Sequence, residues 1–554
     1  MRCEFECECA REPIIRTHFS HSFSKSGSRD YKKGIDSEQG RRNRNDTRLQ
    51  LRKNKREEGL QKRRAMNTAV VPDALGSNSS STIADQDLPK KRFTSADIPT
   101  LAAVFQNTGA TEIDILNSVI GFRKMLSVEK NPPVAEVIDA NMLSKFVQLL
   151  THSDEKIQFE AAWALTNVAS TEFTRAVVEH GALPYLVQLL MSGNPDVREQ
   201  SAWCLGNIAG DATDLRDLVL DAGALDSMVA NIQNPANDSL LSNVVWAMSN
   251  LCRGKPQPAL ETVAPAIPHL CKIIESGKKE ALMDACWALS YLSDGNDARI
   301  DAVVRTGITS TLVNLLRSDN ATIITPALRT LGNFVSGNDT HTQAVIDANV
   351  MDVVLPLLNH HKKNIRKETC WLLSNIAAGN HGQINALVSR PEILSAVLKL
   401  VHNAEWEVRK EATWVASNIA TGGHALHVHC LVELGGITSL CSVIDSADPK
   451  ILLVILEAIQ SILKVGDANG RDYIGFVDEC DGLDKIENLQ EHENTNVYEK
   501  AVFIIETFFG IDEGEDENLV PTIDGDTFAF GLPTKGMEED VVDAPQQPLQ
   551  LFNF

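Results

Sequence analysis

No part of this 554-residue sequence approaches the about 18 consecutive apolar residues that a membrane-spanning helix requires. Residues 1–28 contain no apolar core long enough for a secretory signal, and their early acids argue against a mitochondrial presequence. The 11 cysteines are scattered, several of them within predicted helices, which is typical of small buried hydrophobic residues and not of a disulfide framework. These absences predict a soluble body in a reducing compartment, without a membrane contact.

Motifs for catalysis are missing as well. The sequence has no H-E-x-x-H, P-loop, G-x-S-x-G or paired-cysteine zinc pattern. The cysteines within residues 3–9 lack a matching His/Cys pair downstream, so an incidental leader is favoured over a metal site. His360–His361 and the histidine of the Gly-Gly-His segment 422–424 are interpreted as loop residues. We therefore expect no enzyme activity, no cofactor and no metal.

Aromatic residues are scarce, at 5% of the chain, yet six of the seven tryptophans follow one rule. Each precedes an asparagine or a tyrosine by four residues, and the pairs recur every 40 to 43 residues. Because residues i and i+4 share one side of a helix, each pair places an indole beside a polar group. The pairs, with an arginine in phase at the one missing position, are Trp163/Asn167, Trp203/Asn207, Trp246/Asn250, Trp287/Tyr291, Arg329/Asn333, Trp371/Asn375 and Trp414/Asn418.

A period near 42 residues predicts an all-α fold, a right-handed armadillo-repeat solenoid of about ten repeats over residues 95–510. One unit can be followed through 181–209, where Gly181 breaks the chain, a helix with Pro184 in its first turn follows, and residues 194–196 turn into the next helix. Glu457 continues the phase, and residues 498–510 are interpreted as an atypical capping unit.

The net charge of −22 is unevenly distributed. Residues 29–66 form a basic arm that is expected to be disordered or helical, and the flexible linker 67–94 follows it. The tail 511–554 is acidic and predicted to be disordered, and residues 1–28 are an unassigned disordered extension. A basic arm is thus tied to an acidic array, and attraction between them is expected at low salt.

The repeated pairs predict a groove for an extended, Lys/Arg-rich peptide. A slot between neighbouring indoles suits the aliphatic stem of a lysine or arginine, with Asp211 and Asp284 placed to meet its charge. Asparagine amides can pair with the N–H and C=O groups of the peptide backbone. The pairs form two runs, at 163–250 and 371–418, about 40 Å apart, which a bipartite ligand could bridge.

Other interpretations compete with this one. A single helical tryptophan is usually a core residue, and either aspartate could cap a helix or remain solvated. An adhesion adaptor of the catenin type would use a predominantly basic groove, which does not suit an acidic array. Direct nucleic-acid binding would rest on residues 29–64 alone, and the acidic body disfavours it.

Several longer strings resemble the importin α family, the adaptors of nuclear import. The similarity covers about residues 29–510 and includes the upstream LRKNKREEGLQKRR. The strings that carry it are QFEAAWALTNVAS (158–170), CLGNIAGDATDLRD (204–217), SNLCRGKPQP (249–258), DACWALSYLSDG (284–295), PALRTLGNFVSGND (326–339) and GLDKIENLQEHEN (482–494).

The resemblance implies partners and a transport cycle. Residues 29–66 would be the importin-β-binding arm, and Lys62, Arg63 and Arg64 would occupy the groove as a pseudo-signal when importin β is absent. The region 476–510 would meet an export receptor of the CAS type with Ran-GTP. Contact with nuclear pore components would be indirect, and the protein would shuttle between cytoplasm and nucleus.

The resemblance also implies which side chains bind nuclear localisation signals. Asp211 would face the principal lysine, and Asp294 would help to neutralise the charge of the ligand. The segment 168–175 departs from the family, because it is two residues shorter and lacks a glycine. Thr174 and Asp211 would therefore hold the principal lysine alone. The major site would comprise Trp163, Asn167, Thr174, Trp203, Asn207, Asp211, Trp246, Asn250, Arg253 and Asp284, and the minor site Arg329, Asn333, Thr342, Glu368, Trp371, Asn375, Glu411, Trp414 and Asn418.

Overall fold

The structure, a computed structural model, describes residues 93–128, 131–510, 522–524 and 527–529. The extension 1–28, the arm 29–66 with its Lys62–Arg64 cluster, and most of the linker 67–94 and of the tail 511–554 lie outside the described residues. The interpretation of the cysteines within residues 3–9 lies outside them too. The fold is therefore the fold of the repeat array.

Within residues 93–510, ten helices each contact the next one along the chain and form a continuous wall, which we call the ladder. Every tryptophan of the predicted pairs lies on one of them. The ladder helices are Glu112–Leu126, Glu155–Val168, Pro195–Asp211, Asp238–Leu251, Lys279–Leu292, Ala321–Val335, Lys363–Ala377, Trp406–Gly422, Pro449–Ala468 and Thr495–Ile504.

Two shorter helices connect each ladder helix to the next, which gives the three-helix unit of an armadillo repeat. They are Val134–Asp139 and Met142–Leu149, Thr174–Glu179 and Leu183–Leu189, Thr213–Asp221 and Ala224–Gln233, Leu260–Val263 and Ile267–Ser276, Asp297–Val304 and Thr309–Leu315, Asp339–Asp347 and Met351–Leu358, His381–Val388 and Pro391–Asn403, Ala425–Glu433 and Gly436–Cys441, and Tyr473–Asp478 and Gly482–Asn488. Ile98–Val104 precedes the first unit, four 3-10 turns lie at Ser95–Asp97, Ala264–Ala266, Ile444–Ser446 and Leu489–Glu491, and a π-turn at Ile505–Phe509 ends the array.

Local sequence explains where the helices begin and turn. Six of the ten ladder helices start after an aspartate or asparagine whose side chain caps the helix. At Asp154 and Asn194 the side-chain oxygen accepts the backbone N–H two residues later, at 2.9 Å. In seven of the nine units the two connecting helices are joined through a left-handed residue, such as Gly181 with φ 79° or Asn349 with φ 61°. The chain break predicted at Gly181 is therefore present.

The core runs along the interfaces between neighbouring units and contains the cysteines that were predicted to be buried. Cys204, Cys252, Cys286 and Cys370 are buried free thiols, as expected for small hydrophobic residues. In the described ranges, no helix combines the length and the apolarity needed to cross a bilayer.

One short hairpin lies within the segment predicted as the acidic tail. Thr522–Asp524 pairs antiparallel with Thr527–Ala529, with Ile523 opposite Phe528. The sequence between the strands begins with Gly525, a residue type that tight hairpin turns favour. These six residues are the part of the predicted tail that the structure describes.

Candidate functional site

The predicted indoles and amides follow one another along the ladder at different depths. Each of the six tryptophans is half-buried, so part of every ring reaches the surface. The asparagines beside them lie deeper, from 0% exposed at Asn207 to 8% at Asn418. Tyr291, which replaces one asparagine, is 6% exposed, and its ring stacks on Trp287 with the centroids 5.9 Å apart. The wall therefore presents partly exposed indoles above a buried row of polar groups.

The asparagines use their amide donors to join neighbouring repeats. Asn250 Nδ2 donates to the Gly206 carbonyl at 3.0 Å, and Asn418 Nδ2 donates to the Ser374 carbonyl at 2.9 Å. These amides satisfy buried carbonyls of the preceding ladder helix, so asparagine has a structural use at these positions. The same role is played by Asn167 toward Ser127 Oγ at 2.9 Å, Asn207 toward the Thr166 carbonyl at 3.3 Å and Asn333 toward the Ser290 carbonyl at 2.9 Å.

Two buried side-chain amide atoms of these asparagines have no hydrogen bond among the described residues, one in each run. They are Oδ1 of Asn207 and Nδ2 of Asn375, and both are buried. A buried polar atom without a partner destabilises the folded state by about 1–3 kcal/mol. An extended peptide that docked over the wall carries both donors and acceptors and could satisfy them.

The indole rings lean on the preceding ladder helix. A methyl group at Gly206 would lie 2.3 Å from Cζ3 of Trp246, and one at Gly332 would lie 2.1 Å from Cζ3 of Trp371. Glycine is thus required at both positions by the approach of the ring. The centroids of Trp203 and Trp246 are 6.2 Å apart with the planes inclined by 55°, so these two indoles pack against each other.

Asp211 and Arg253 lie near each other at the end of the ladder helix Pro195–Asp211. Asp211 is exposed, and Nη2 of Arg253 donates to the carbonyl of the adjacent Gly210 at 2.7 Å. The buried guanidinium of Arg216 holds the segment that carries Arg253, because its Nη1 donates to the Arg253 and Pro256 carbonyls at 2.7 and 3.0 Å. The structure therefore places an exposed acid beside a fixed arginine at this rim.

Thr174 and Thr342 lie beneath the surface, both 0% exposed. The Thr174 hydroxyl is 2.8 Å from the Thr171 carbonyl and 3.1 Å from the Ala169 carbonyl, so it closes the shortened 168–175 segment on itself. The Thr342 hydroxyl is 3.3 Å from the Asn338 carbonyl in the same way. Direct contact between a peptide and either hydroxyl would require a change of conformation.

The acids and the arginine predicted for the second run do not act separately. Nε and Nη2 of Arg329 donate to the two carboxylate oxygens of Glu368 at 2.8 and 2.6 Å. The Arg329 guanidinium also lies over the Trp371 ring, with Cζ 5.8 Å from its centroid. Arg329 and Glu368 were expected to be two ligand contacts, and the structure shows them as one bidentate pair.

The remaining acids occupy two kinds of position. Asp284 is 6% exposed and Glu411 is half-buried, each on a ladder helix one turn before a tryptophan. Asp294 lies beyond a ladder helix and pairs with Lys255 at 4.0 Å. Among the described residues, no group of three or more His, Cys, Asp or Glu side chains is arranged to hold a metal ion.

One rung of the ladder was missed in the sequence. Arg123 and Ser127 lie 40 residues before Trp163 and Asn167, so they continue the same phase. Arg123 Nε and Nη2 donate to Glu160 at 2.7 and 3.1 Å, and its Cζ lies 4.4 Å from the centroid of the Trp163 ring. Extending the interval between the pairs backward by one repeat from Trp163 would have located this rung. A search for tryptophan misses it, because the position holds arginine.

Sequence comparison connects this wall to a known family. The importin beta binding domain matches residues 28–114, which spans the predicted arm and the first helices. Armadillo/beta-catenin-like repeats match 130–170, 170–210, 255–294, 296–336 and 338–378, and an atypical Arm repeat matches 471–522. The armadillo fold predicted from the tryptophan interval is confirmed.

Curated relatives identify the family. Importin subunit alpha-3 of Arabidopsis thaliana is 43% identical over 89% of this chain and 94% of its own length. The chain belongs to the importin α family. Importin subunit alpha-B of Dictyostelium discoideum is 45% identical over 91% of this chain and 96% of its own length. A crystal structure of an engineered protein, 26% identical, superposes on 74% of this importin α chain with a TM-score of 0.68. The family comprises adaptors of nuclear import, the role that the resemblance implied.

Proposed function

We propose that this importin α binds mono- and bipartite Lys/Arg-rich nuclear localisation signals on the ladder and couples them to importin β through residues 29–66. The observation that carries the proposal is the row of half-exposed indoles above buried amides, with Asp211, Asp284 and Glu411 as acids beside it. Indole faces favour a cation by about 0.5–2 kcal/mol, and a nearby carboxylate adds to this attraction.

The two runs divide the work of binding. The first run holds Trp163, Trp203 and Trp246 with Asp211 and Arg253 at its rim, and the second holds Trp371 and Trp414 with Glu411. Because five of the six asparagine donors already join the repeats, we expect the amide oxygens and Nδ2 of Asn375 to meet the backbone of an extended ligand. Thr174 and Thr342 shape the wall from below, since both are fully buried.

Autoinhibition and recycling complete the proposed cycle. Lys62–Arg64 would compete with cargo for the first run until importin β captures the arm. The region 476–510, where Phe476 and Phe503 expose 45% and 44% of their surface, would meet the CAS-type receptor with Ran-GTP. The adaptor would then shuttle between cytoplasm and nucleus, with pore contacts made by its partners.

The test compares the full chain with a chain that lacks residues 1–66, using a fluorescent Lys/Arg-rich signal peptide. At low salt, we expect the shortened chain to bind the peptide at least about ten-fold more tightly than the full chain does. The affinity should fall as the salt concentration rises. Replacing the lysines and arginines of the peptide with glutamine is the control and should remove binding. Equal affinities for the two chains would contradict autoinhibition, and no binding by either would contradict the peptide groove itself.

A further inference from the structure

Arginine replaces tryptophan in the ladder phase at two places, Arg123 and Arg329. Each is followed, one repeat later, by a glutamate three residues before the next tryptophan, namely Glu160 and Glu368. The other ladder positions three residues before a tryptophan are Gln200, Asn243, Asp284 and Glu411, and tryptophan occupies the slot in the repeat before each of them. Arginine and a paired glutamate therefore occur together.

Both pairs have the same geometry. Two guanidinium nitrogens of each arginine donate to the two oxygens of its glutamate, at 2.7 and 3.1 Å for Arg123 and at 2.8 and 2.6 Å for Arg329. Each guanidinium also lies over the next indole, 4.4 Å from Trp163 and 5.8 Å from Trp371. A cation, an acid and an indole face are thus already assembled there.

A similar assembly is what a ligand lysine or arginine would make beside Asp284 and Trp287 or beside Glu411 and Trp414. Arg123 and Glu160 are 4% and 9% exposed, and the Arg329 and Glu368 side chains are 12% and 4% exposed, so a ligand cation cannot enter either position. The protein's own side chain occupies the place of the ligand at the start of each run.

We propose that Arg123 and Arg329 are register-setting residues, which close the slots before Trp163 and Trp371 and so fix where the basic side chains of a bound peptide begin. The inference rests on the proposed peptide-binding function and adds a limit to it. The first run accepts cations only from the Trp163–Trp203 interval onward, and the second only from the Trp371–Trp414 interval onward.

The experiment measures how the full chain responds to one additional lysine. A parent peptide of four lysines is compared with peptides that carry a fifth lysine, or a glutamine, three residues beyond either end, since one repeat spans about three extended residues. We expect the Lys/Gln affinity ratio at the blocked end to stay near one for the unaltered chain. In Arg123→Ala we expect that ratio to rise about five-fold, because the Glu160 carboxylate and the Trp163 face become accessible.

Controls separate a register role from a structural role. Arg123→Ala/Glu160→Gln removes the acid and should return the ratio to near one, and Arg305→Ala, at a 77% exposed side chain on a connecting helix, should leave it unchanged. If the Arg123 pair only joined repeats, Arg123→Ala would lower the melting temperature and leave the ratio unchanged, which would overturn the inference.

A second variant keeps the test independent of the folding of the first repeat. Arg329→Ala, at the pair with the more exposed arginine, should produce the same gain for a lysine added at the start of the second run. An unchanged ratio in both variants overturns the inference alone. Failure of the unaltered chain to bind the parent peptide would overturn the proposed function and the inference together.

Discussion

The runs 163–250 and 371–418 begin alike and then differ in where they place their acids. Each opens on a tryptophan covered by an arginine of the preceding repeat. In the first run the residues one turn before the later tryptophans are the uncharged Gln200 and Asn243, and the acid is the exposed Asp211 at a helix end. In the second run, the half-buried Glu411 lies one turn before Trp414.

On the proposed function, the two runs would bind cations with different sensitivity to salt. An exposed carboxylate is strongly screened by salt, whereas a partly buried one is screened much less. Asp211 should therefore dominate the affinity and salt dependence of the first run, and Glu411 should adjust the second.

Reversing the charge of Asp211 should have the largest effect on binding. Asp211→Lys replaces attraction by repulsion at the rim of the first run, and we expect the affinity for a single-cluster basic peptide to fall about 50-fold in fluorescence anisotropy. The melting temperature should be unchanged because the side chain is exposed. Asp226→Lys makes the same charge change on a connecting helix and is the control; retained affinity in Asp211→Lys would place the principal lysine pocket elsewhere.

A methyl group beneath one indole should disturb one run at a time. The added Cβ of Gly206→Ala would lie 2.3 Å from Cζ3 of Trp246, and that of Gly332→Ala would lie 2.1 Å from Cζ3 of Trp371. Overpacking of this kind destabilises by about 1–3 kcal/mol, so we expect about ten-fold weaker binding in the affected run and a lower melting temperature. Gly193→Ala, whose nearest neighbour would be 3.8 Å away, is the matched control. Equal loss in both runs from either change would show that the runs are not independent.

Neutralising Glu411 should weaken only the second run, and less strongly. Glu411→Gln removes a half-buried carboxylate without changing side-chain volume, and about five-fold lower affinity for a bipartite peptide is expected by titration calorimetry. Glu407→Gln, on the same helix, removes an exposed acid that pairs with Lys363 at 2.9 Å and should have almost no effect. Similar losses from the two changes would mean that Glu411 acts only through net charge.

The smallest expected difference concerns thiols next to the indoles of both runs. Burial raises the pKa of Cys204 to about 12 and raises the pKa of Cys370, so neither thiol should react with iodoacetamide at pH 8 in the folded chain. The pKa of Cys480 is lowered to about 7, first by its hydrogen bond with Cys441, so its thiolate and its alkylation rate should increase as pH rises through 7. Mass spectrometry after a brief pulse measures this, and labelling of Cys204 before unfolding would show that the first run opens.

Sequence reasoning predicted the fold well because the signal is periodic. The interval of 40 to 43 residues between tryptophans locates one helix in each repeat, and Gly181 and the residues 194–196 mark the turns between helices. It predicted which residues line the wall, since the phase alone places them on the ladder. It did not predict that Thr174 and Thr342 lie beneath that wall, because burial depends on how neighbouring units pack.

The roles of polar groups were harder to predict than their positions. An asparagine beside an indole has a donor and an acceptor, and the sequence cannot tell that the donor of Asn250 binds the Gly206 carbonyl of the preceding repeat. Likewise, Arg329 and Glu368 were assigned separately to the ligand, although their bidentate contact satisfies both. Such pairings join residues about forty positions apart, and a local sequence pattern does not show which donor binds which acceptor at that separation.

The amino-acid sequence by itself determined the repeat length, the placement of indoles and amides on one helix of each unit, and the family, because helical periodicity follows from local geometry. Only the tertiary structure decided which donors are already used between repeats, how closely Trp203 and Trp246 approach, and that Arg123 covers Trp163. The physical reason is that hydrogen bonding and ring contact depend on angstrom-scale distances between adjacent helices, which the stacking of whole repeats sets.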